Sequence, residues 1–189
     1  MRVIFGTKKG KPLLSVPGDT TRPMLSRVKT ALFDTIRPRL AAAQVLDCFA
    51  GTGQLGIEAL SNGAESCIFL DTERAAVETI KKNLSTTQLT ELTQVRHTDV
   101  FTYLKNCQKS FDIIFADPPQ FKNLWVEVVH CLAERPTILS EGGVLIVKVD
   151  PSEYEGLQLK TLNEVQQRRY GNSVILFFER TSVGSFLAE

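Results

Sequence analysis

Val45-Leu46-Asp47-Cys48-Phe49-Ala50-Gly51-Thr52-Gly53-Gln54-Leu55-Gly56 is the stretch from which the fold of this 189-residue chain is read. A short apolar run gives way to glycines and then to a helical pattern, which is how the first strand-to-helix turn of a parallel α/β sheet looks. Glycine is required in such a turn because a side chain would hold a ligand away from the backbone. The G-x-G-x-x-G spacing alone also fits dinucleotide-binding proteins. Asp47, four residues before Gly51, argues for a different ligand. A carboxylate there opposes a pyrophosphate and favours an ammonium group such as that of a methionine moiety.

Downstream of this turn, short apolar runs alternate with helical segments, the pattern of a doubly wound parallel sheet. Strands are predicted at Val45 to Phe49, Cys67 to Asp71, Thr93 to His97, Phe111 to Ala116 and Val144 to Val149. Helices are predicted between them, at Leu55 to Ser61, Glu73 to Leu84, Val100 to Asn106 and Leu124 to Glu134. Near the end, Leu157 to Arg169 and Ser173 to Glu179 flank Tyr170-Gly171-Asn172, which reads as an antiparallel hairpin. Upstream, Val3-Ile4-Phe5 and Pro12-Leu13-Leu14 flank a turn-prone Gly6 to Gly10, so residues 1 to 16 read as a small hairpin. A helix follows from Pro23, with Leu25, Val28, Leu32 and Ile36 on its apolar face and Arg27 and Lys29 off it. The expected fold is α/β and Rossmann-like: a doubly wound, mostly parallel seven-stranded sheet with an antiparallel C-terminal hairpin, preceded by a small β-hairpin and helix. The expected organisation is a basic N-terminal extension over residues 1–22, the main domain over 23–180 and a tail over 181–189.

Ligands of open parallel sheets bind beyond the carboxyl ends of the strands, where strand order reverses. Four predicted strands in succession end at or next to an aspartate: Asp47, Asp71, Asp99 and Asp117. Asp71 lies 20 residues past Gly51, the offset at which a carboxylate accepts from both ribose hydroxyls. Asp99, just before Val100, can accept from an adenine amino group or cap the helix that follows. Asp47, Asp71 and Asp99 would then contact the amine, ribose and base of one cationic ligand. S-adenosylmethionine, with its sulfonium, meets that description, and Phe49, Gly51, Gly53, Thr72 and Val100 complete the expected cofactor contacts.

The fourth strand runs into Asp117-Pro118-Pro119-Gln120-Phe121. Two prolines fix two φ angles and push the preceding residue toward extended geometry, so the Asp117 carboxylate and the Pro118 carbonyl are held in place. An exocyclic base amine is a weak nucleophile because its lone pair is delocalised into the ring. Two fixed acceptors take its hydrogens, orient the nitrogen and raise its electron density during in-line methyl transfer.

Composition narrows the field further. The first 39 residues carry nine Lys or Arg against two acids, +7, and the rest carry 13 against 19, −6. A basic arm on an acidic body fits a polyanion bound by the arm, with Arg2, Lys8, Lys9, Lys11, Arg22 and Arg27 as candidate contacts. Cys48, Cys67, Cys107 and Cys131 are scattered and read as reduced thiols, and no metal site is expected. No Pro-Cys pair is present to support covalent catalysis on a pyrimidine ring. With no long apolar run and no signal-like start, a soluble cytoplasmic protein without membrane contact is expected.

With these motifs in hand, the chain resembles the RsmD-type 16S ribosomal RNA guanine-N2 methyltransferases over residues 1 to about 180. The resemblance rests on Arg22-Pro23, Arg27-Val28, Ala31-Leu32-Phe33, Leu46 to Gly53 with Gly56, Glu58-Ala59-Leu60, Asp117-Pro118-Pro119 and Tyr170-Gly171. It implies the class I methyltransferase fold, S-adenosylmethionine as methyl donor, and a guanine of 16S RNA or the small ribosomal subunit as substrate. It also implies Asp117, Pro118 and Pro119 at the target amine, with an aromatic residue stacked on the base. That aromatic usually follows the prolines directly, whereas here Gln120 stands there and Phe121 comes next. Ser26 likewise replaces an aspartate usual before Arg27. Three alternatives stay open at this point: adenine N6, another RNA or DNA base, and an RNA-binding relative without activity. Oligomeric state is not legible.

Overall fold

The computed structural model describes residues 1–18 and 24–181. Its centre is one sheet of β1 (Gln44–Asp47), β2 (Ser66–Asp71), β3 (Thr93–His97), β4 (Phe111–Ala116), β5 (Leu139–Val149), β6 (Leu162–Tyr170) and β7 (Ser173–Arg180), in the order β3-β2-β1-β4-β5-β7-β6. The first five strands are parallel, while β7 runs antiparallel to both β5 and β6.

Parallel strands must bury both faces, and their residues alternate accordingly. Ile113 and Phe115 of β4 join Val45, Phe69 and Ile146 under α1 (Ser26–Ile36), α2 (Gln54–Ser61) and α3 (Arg74–Thr87). Ile114 and Ala116 face the other way, with Leu46, Leu70 and Val147, under α4 (Val100–Asn106) and α5 (Leu124–Glu134). The order reverses between β1 and β4, so the turns after these two strands, carrying Asp47 and Asp117, flank the switch point.

Several boundaries differ from expectation. β1 stops at Asp47 rather than Phe49, because Ala50 N–H donates to Leu70 O and draws the chain off toward β2. β5 begins at Leu139 rather than Val144, and its pairing skips from Phe111↔Leu139 to Ile113↔Val144 across a bulge. β6 begins at Leu162 rather than Leu157, since Leu157 and Leu159 pack against the core from a loop. α1 begins at Ser26, and Leu25 precedes it in extended geometry and is exposed, so it does not belong to the apolar face. Pro23, Arg22 and the expected boundary between residues 22 and 23 lie outside the described residues, as does the tail beyond Thr181.

Lys29 also corrects the sequence reading. It is buried, and its Nζ lies 3.0 Å from Glu58 Oε2 on α2, so it is not among the surface charges of the basic arm. The pair has a structural task. Glu58 accepts from the Ile4 and Phe5 N–H groups, while Lys29 donates to Arg2 O. Ser61 adds bonds to Phe5 O and from Lys8 N–H. Asn83 accepts from Leu14 N–H and donates to the Leu14 and Thr52 carbonyls. Residues 1 to 14 make a turn closed by the Arg2–Pro12 bridge, with Val3 and Leu13 buried in the first core. The N-terminal segment is therefore docked on α2 and α3 by buried polar groups.

Removing one member of a buried ion pair leaves the other uncompensated, at a cost of about 3–5 kcal/mol. Glu58→Ala is expected to lower the unfolding free energy by roughly that amount in urea titration. A loss under about 1 kcal/mol would mean that this anchor contributes no more than a surface pair does.

Candidate active site

The glycine loop between β1 and α2 is shaped by three different demands. Gly51 has φ +54° and a Cβ placed there would meet nothing within 4 Å, so the loop opens onto free space. Gly53 has φ +76° and sits against Ile80 and Phe69. Gly56 has no backbone need for glycine, but a Cβ on it would come within 2.3 Å of the Phe69 ring, so its absence lets α2 lie close on β2. Thr52 is buried, and Asn83 holds its carbonyl at 2.9 Å.

Asp47 lies beneath this loop, 1% exposed, and accepts from Gly56 N–H at 3.1 Å. Its carboxyl is pushed up to about 7, mainly by burial and further by the negative charges of Asp117 and Asp71, with the Gly56 bond opposing. Three of the four aspartates singled out from the sequence thus share one electrostatic neighbourhood. Asp71 accepts from Gly51 N–H and Glu73 N–H, both at 2.8 Å, so it braces the glycine loop from the next strand. Asp99 is farther along the rim, exposed, and caps α4 by accepting from Thr102 N–H at 2.9 Å. Thr72 is exposed and its carbonyl bonds His97 Nε2, Val100 is buried, and Phe49 is half-buried against the second core.

After β4 the chain turns at Asp117, with Pro118 buried and Pro119, Gln120 and Phe121 exposed. Phe121 is 70% exposed and has φ +60°, a conformation that side-chain-bearing residues seldom adopt. The loop presents the aromatic ring to solvent four residues after the carboxylate. Lys148 on β5 was missed in the sequence reading: its Nζ lies 2.7 Å from Asp117 Oδ1. A lone charge inside the apolar run Val144 to Val149 was the signal that could have found it. Burial raises the Asp117 carboxyl and the Lys148 ammonium lowers it.

Of the candidate polyanion contacts, Arg2, Lys9, Lys11 and Arg27 are exposed, Lys8 is half-buried, and Arg22 lies outside the described residues. Arg27 stands near the β6–β7 turn at Gly171. Burial pushes the Cys48 thiol well above its ordinary range, with Asp47 adding to the effect, so it stays protonated and is a poor nucleophile.

The glycine loop thus leaves room above Gly51, with Asp47 beneath it and Asp71 bracing it from the next strand. The model of the family described as Conserved hypothetical protein 95 matches residues 1–179. Ribosomal RNA small subunit methyltransferase D of Haemophilus influenzae is 32% identical over 182 residues, covering 91% of this chain and 94% of that protein. The chain belongs to this RsmD-type family. YlbH of Bacillus subtilis is 41% identical over 153 residues, 79% of this chain and 83% of its own. The solved structure of yhhF from Escherichia coli superposes with a TM-score of 0.84 at 29% identity, covering 95% of this chain and 97% of that one. The fold is thus the Rossmann-like class I methyltransferase fold expected from the sequence.

The RsmD-type glycine loop offers a paired test. Gly56→Ala places a methyl group into the Phe69 ring and is expected to cost about 1–3 kcal/mol of stability by overpacking. Gly51→Ala meets no neighbour, and only its left-handed backbone should register, at about 1–2 kcal/mol. Ligand affinity should respond in the opposite order, with Gly51→Ala the more damaging. Calorimetric unfolding and titration with S-adenosylhomocysteine check both, and equal effects on affinity would contradict the geometry.

Proposed function

We propose that this protein transfers a methyl group from S-adenosylmethionine to the exocyclic N2 amine of a guanine in small-subunit (16S) ribosomal RNA, in the cytoplasm. The observation that carries the proposal is Asp117: a largely buried carboxylate paired to Lys148 at the switch point, followed by the buried Pro118 and the exposed Phe121. Family membership and the small-subunit relative support the choice of RNA.

When bound, S-adenosylmethionine supplies an electrophilic methyl group on a positively charged sulfur. In this reading Asp47 and the glycine loop receive its methionine end, Asp71 its ribose and Asp99 its adenine. The carboxylate cluster suits a donor with two positive centres, ammonium and sulfonium, and disfavours phosphate-bearing cofactors. Asp117 and the Pro118 carbonyl accept the two amine hydrogens while Phe121 stacks on a base turned out of its helix. The amine lone pair forms the new N–C bond as the C–S pair leaves with sulfur. The surplus proton on nitrogen passes to Asp117 or to water. Arg2, Lys8, Lys9, Lys11 and Arg27 contact RNA phosphates, a role that would make binding depend on salt.

Two outcomes test this reading. Asp117→Ala is expected to slow single-turnover transfer to unmodified small subunits by roughly 10²–10³ while leaving S-adenosylhomocysteine affinity in place. Undiminished transfer would contradict it, and mass spectrometry of the product nucleosides distinguishes N2-methylguanosine from a methylated adenine. Asp47 adds a pH dependence. Its carboxyl titrates at about 7 in the free protein, so it is ionised above that pH and protonated below it. S-adenosylhomocysteine affinity is expected to be full above pH 7 and to fall by up to about tenfold per pH unit below it. A flat affinity between about pH 5.5 and 8.5 would remove Asp47 from the amine site.

A further inference from the structure

Lys148 is the sole charged side chain in the run Val144 to Val149, which forms the C-terminal half of β5. Its immediate neighbours Val147 and Val149 are 0% and 1% exposed, and Lys148 itself is 13% exposed at its side chain. A lysine in such surroundings gives up hydration that an apolar residue would not have needed, and a partly buried ion pair returns little net stability. Fold stability therefore does not account for it. Its position does. Ala116 pairs with Val147 across β4 and β5, so the next residues along, Asp117 and Lys148, come side by side where β4 ends and the substrate loop begins.

We propose that Lys148 is a positioning residue for methyl transfer: its ammonium holds one carboxylate oxygen of Asp117 so that the other is presented, charged, to the target amine. This rests on the function proposed above and adds a residue to it. The contact is to Oδ1 at 2.7 Å, and among the described residues Oδ2 accepts no hydrogen bond. A carboxylate fixed through one oxygen loses rotational freedom about its terminal bond, which is the orientation that an amine-binding acceptor needs.

Charge matters as much as orientation. The charged groups coupled to Asp117 among the described residues are Lys148 on β5, whose ammonium contacts it, and Asp47 at the end of β1, whose own carboxyl it raises. Burial favours the protonated acid, which would offer the amine a donor in place of an acceptor, and Lys148 opposes it through its charge and its hydrogen bond. Without it, the carboxyl titrates higher, and the acidic limb of the rate profile moves up in pH with it.

The test uses the full chain with S-adenosylmethionine and unmodified small ribosomal subunits, in single turnover across about pH 6 to 9.5. Lys148→Met keeps the length and apolar stem of the side chain. It is expected to lose about tenfold or more in rate at neutral pH, to recover as pH rises, and to show the acidic limb displaced upward by about one unit. Affinity for S-adenosylhomocysteine should remain within about twofold, and Lys148→Arg should restore the profile. Lys148→Gln, a polar variant that also lacks the charge, should show the same displacement and serves if the Met variant does not fold. A rate loss equal at every pH would assign Lys148 a packing role and overturn the inference, as would an unmoved profile. These results are separable from those of Asp117→Ala. Full activity of that variant removes the proposed site itself, whereas an inactive Asp117→Ala with an unmoved Lys148→Met profile removes only this inference.

Discussion

Like charges gathered at the rim of a sheet repel one another, and the rest of this molecule is arranged around that repulsion. Asp47, Asp71 and Asp117 stand close enough that the latter two raise the carboxyl of the first. Such a cluster is unfavourable in an empty protein and becomes favourable when a cation enters it. The backbone N–H groups of Gly51, Gly56 and Glu73 already compensate part of the charge. Lys148 compensates Asp117. What remains is a carboxylate cluster whose electrostatics a cation would complete.

The parallel sheet makes this arrangement possible because each strand delivers its last residue to the same edge. Asp47 ends β1, Asp117 directly follows the neighbouring β4, and Asp71 ends β2 on the other side of β1. The glycines then set how near a ligand approaches. The arm formed by residues 1 to 14 belongs to the same construction, since Asn83 bonds both Leu14 and Thr52 of the glycine loop. The basic N-terminal arm and the glycine loop are therefore fastened through one asparagine side chain.

The parts of this structure legible in the sequence were those governed by local periodicity or by a single turn. Apolar runs alternating with helical segments located the five parallel strands, the turn at Tyr170-Gly171-Asn172 located the antiparallel pair, and α4 and α5 begin and end where the pattern places them. The glycine loop and Asp117-Pro118-Pro119 were legible because their residue types have few other uses. Misread features depend on partners distant in the chain. Lys29 looked like a surface charge because Glu58, which buries it, is 29 residues away on another helix. Leu25 fitted the helical spacing but precedes the helix, where that spacing no longer applies. Lys148 was overlooked because its meaning lies in a partner 31 residues earlier. Asp99 illustrates a middle case, in which the capping role foreseen from its position is formed and its outer face remains open to a ligand.

A crystal structure with S-adenosylhomocysteine bound tests the central claim most directly, because it shows which carboxylate meets which part of the ligand. The expected result is a ligand lying across the strand ends, with its ribose hydroxyls within about 3 Å of Asp71 and its sulfur turned toward Asp117. A ligand bound away from this rim, or a ribose without a bond to Asp71, would contradict the account.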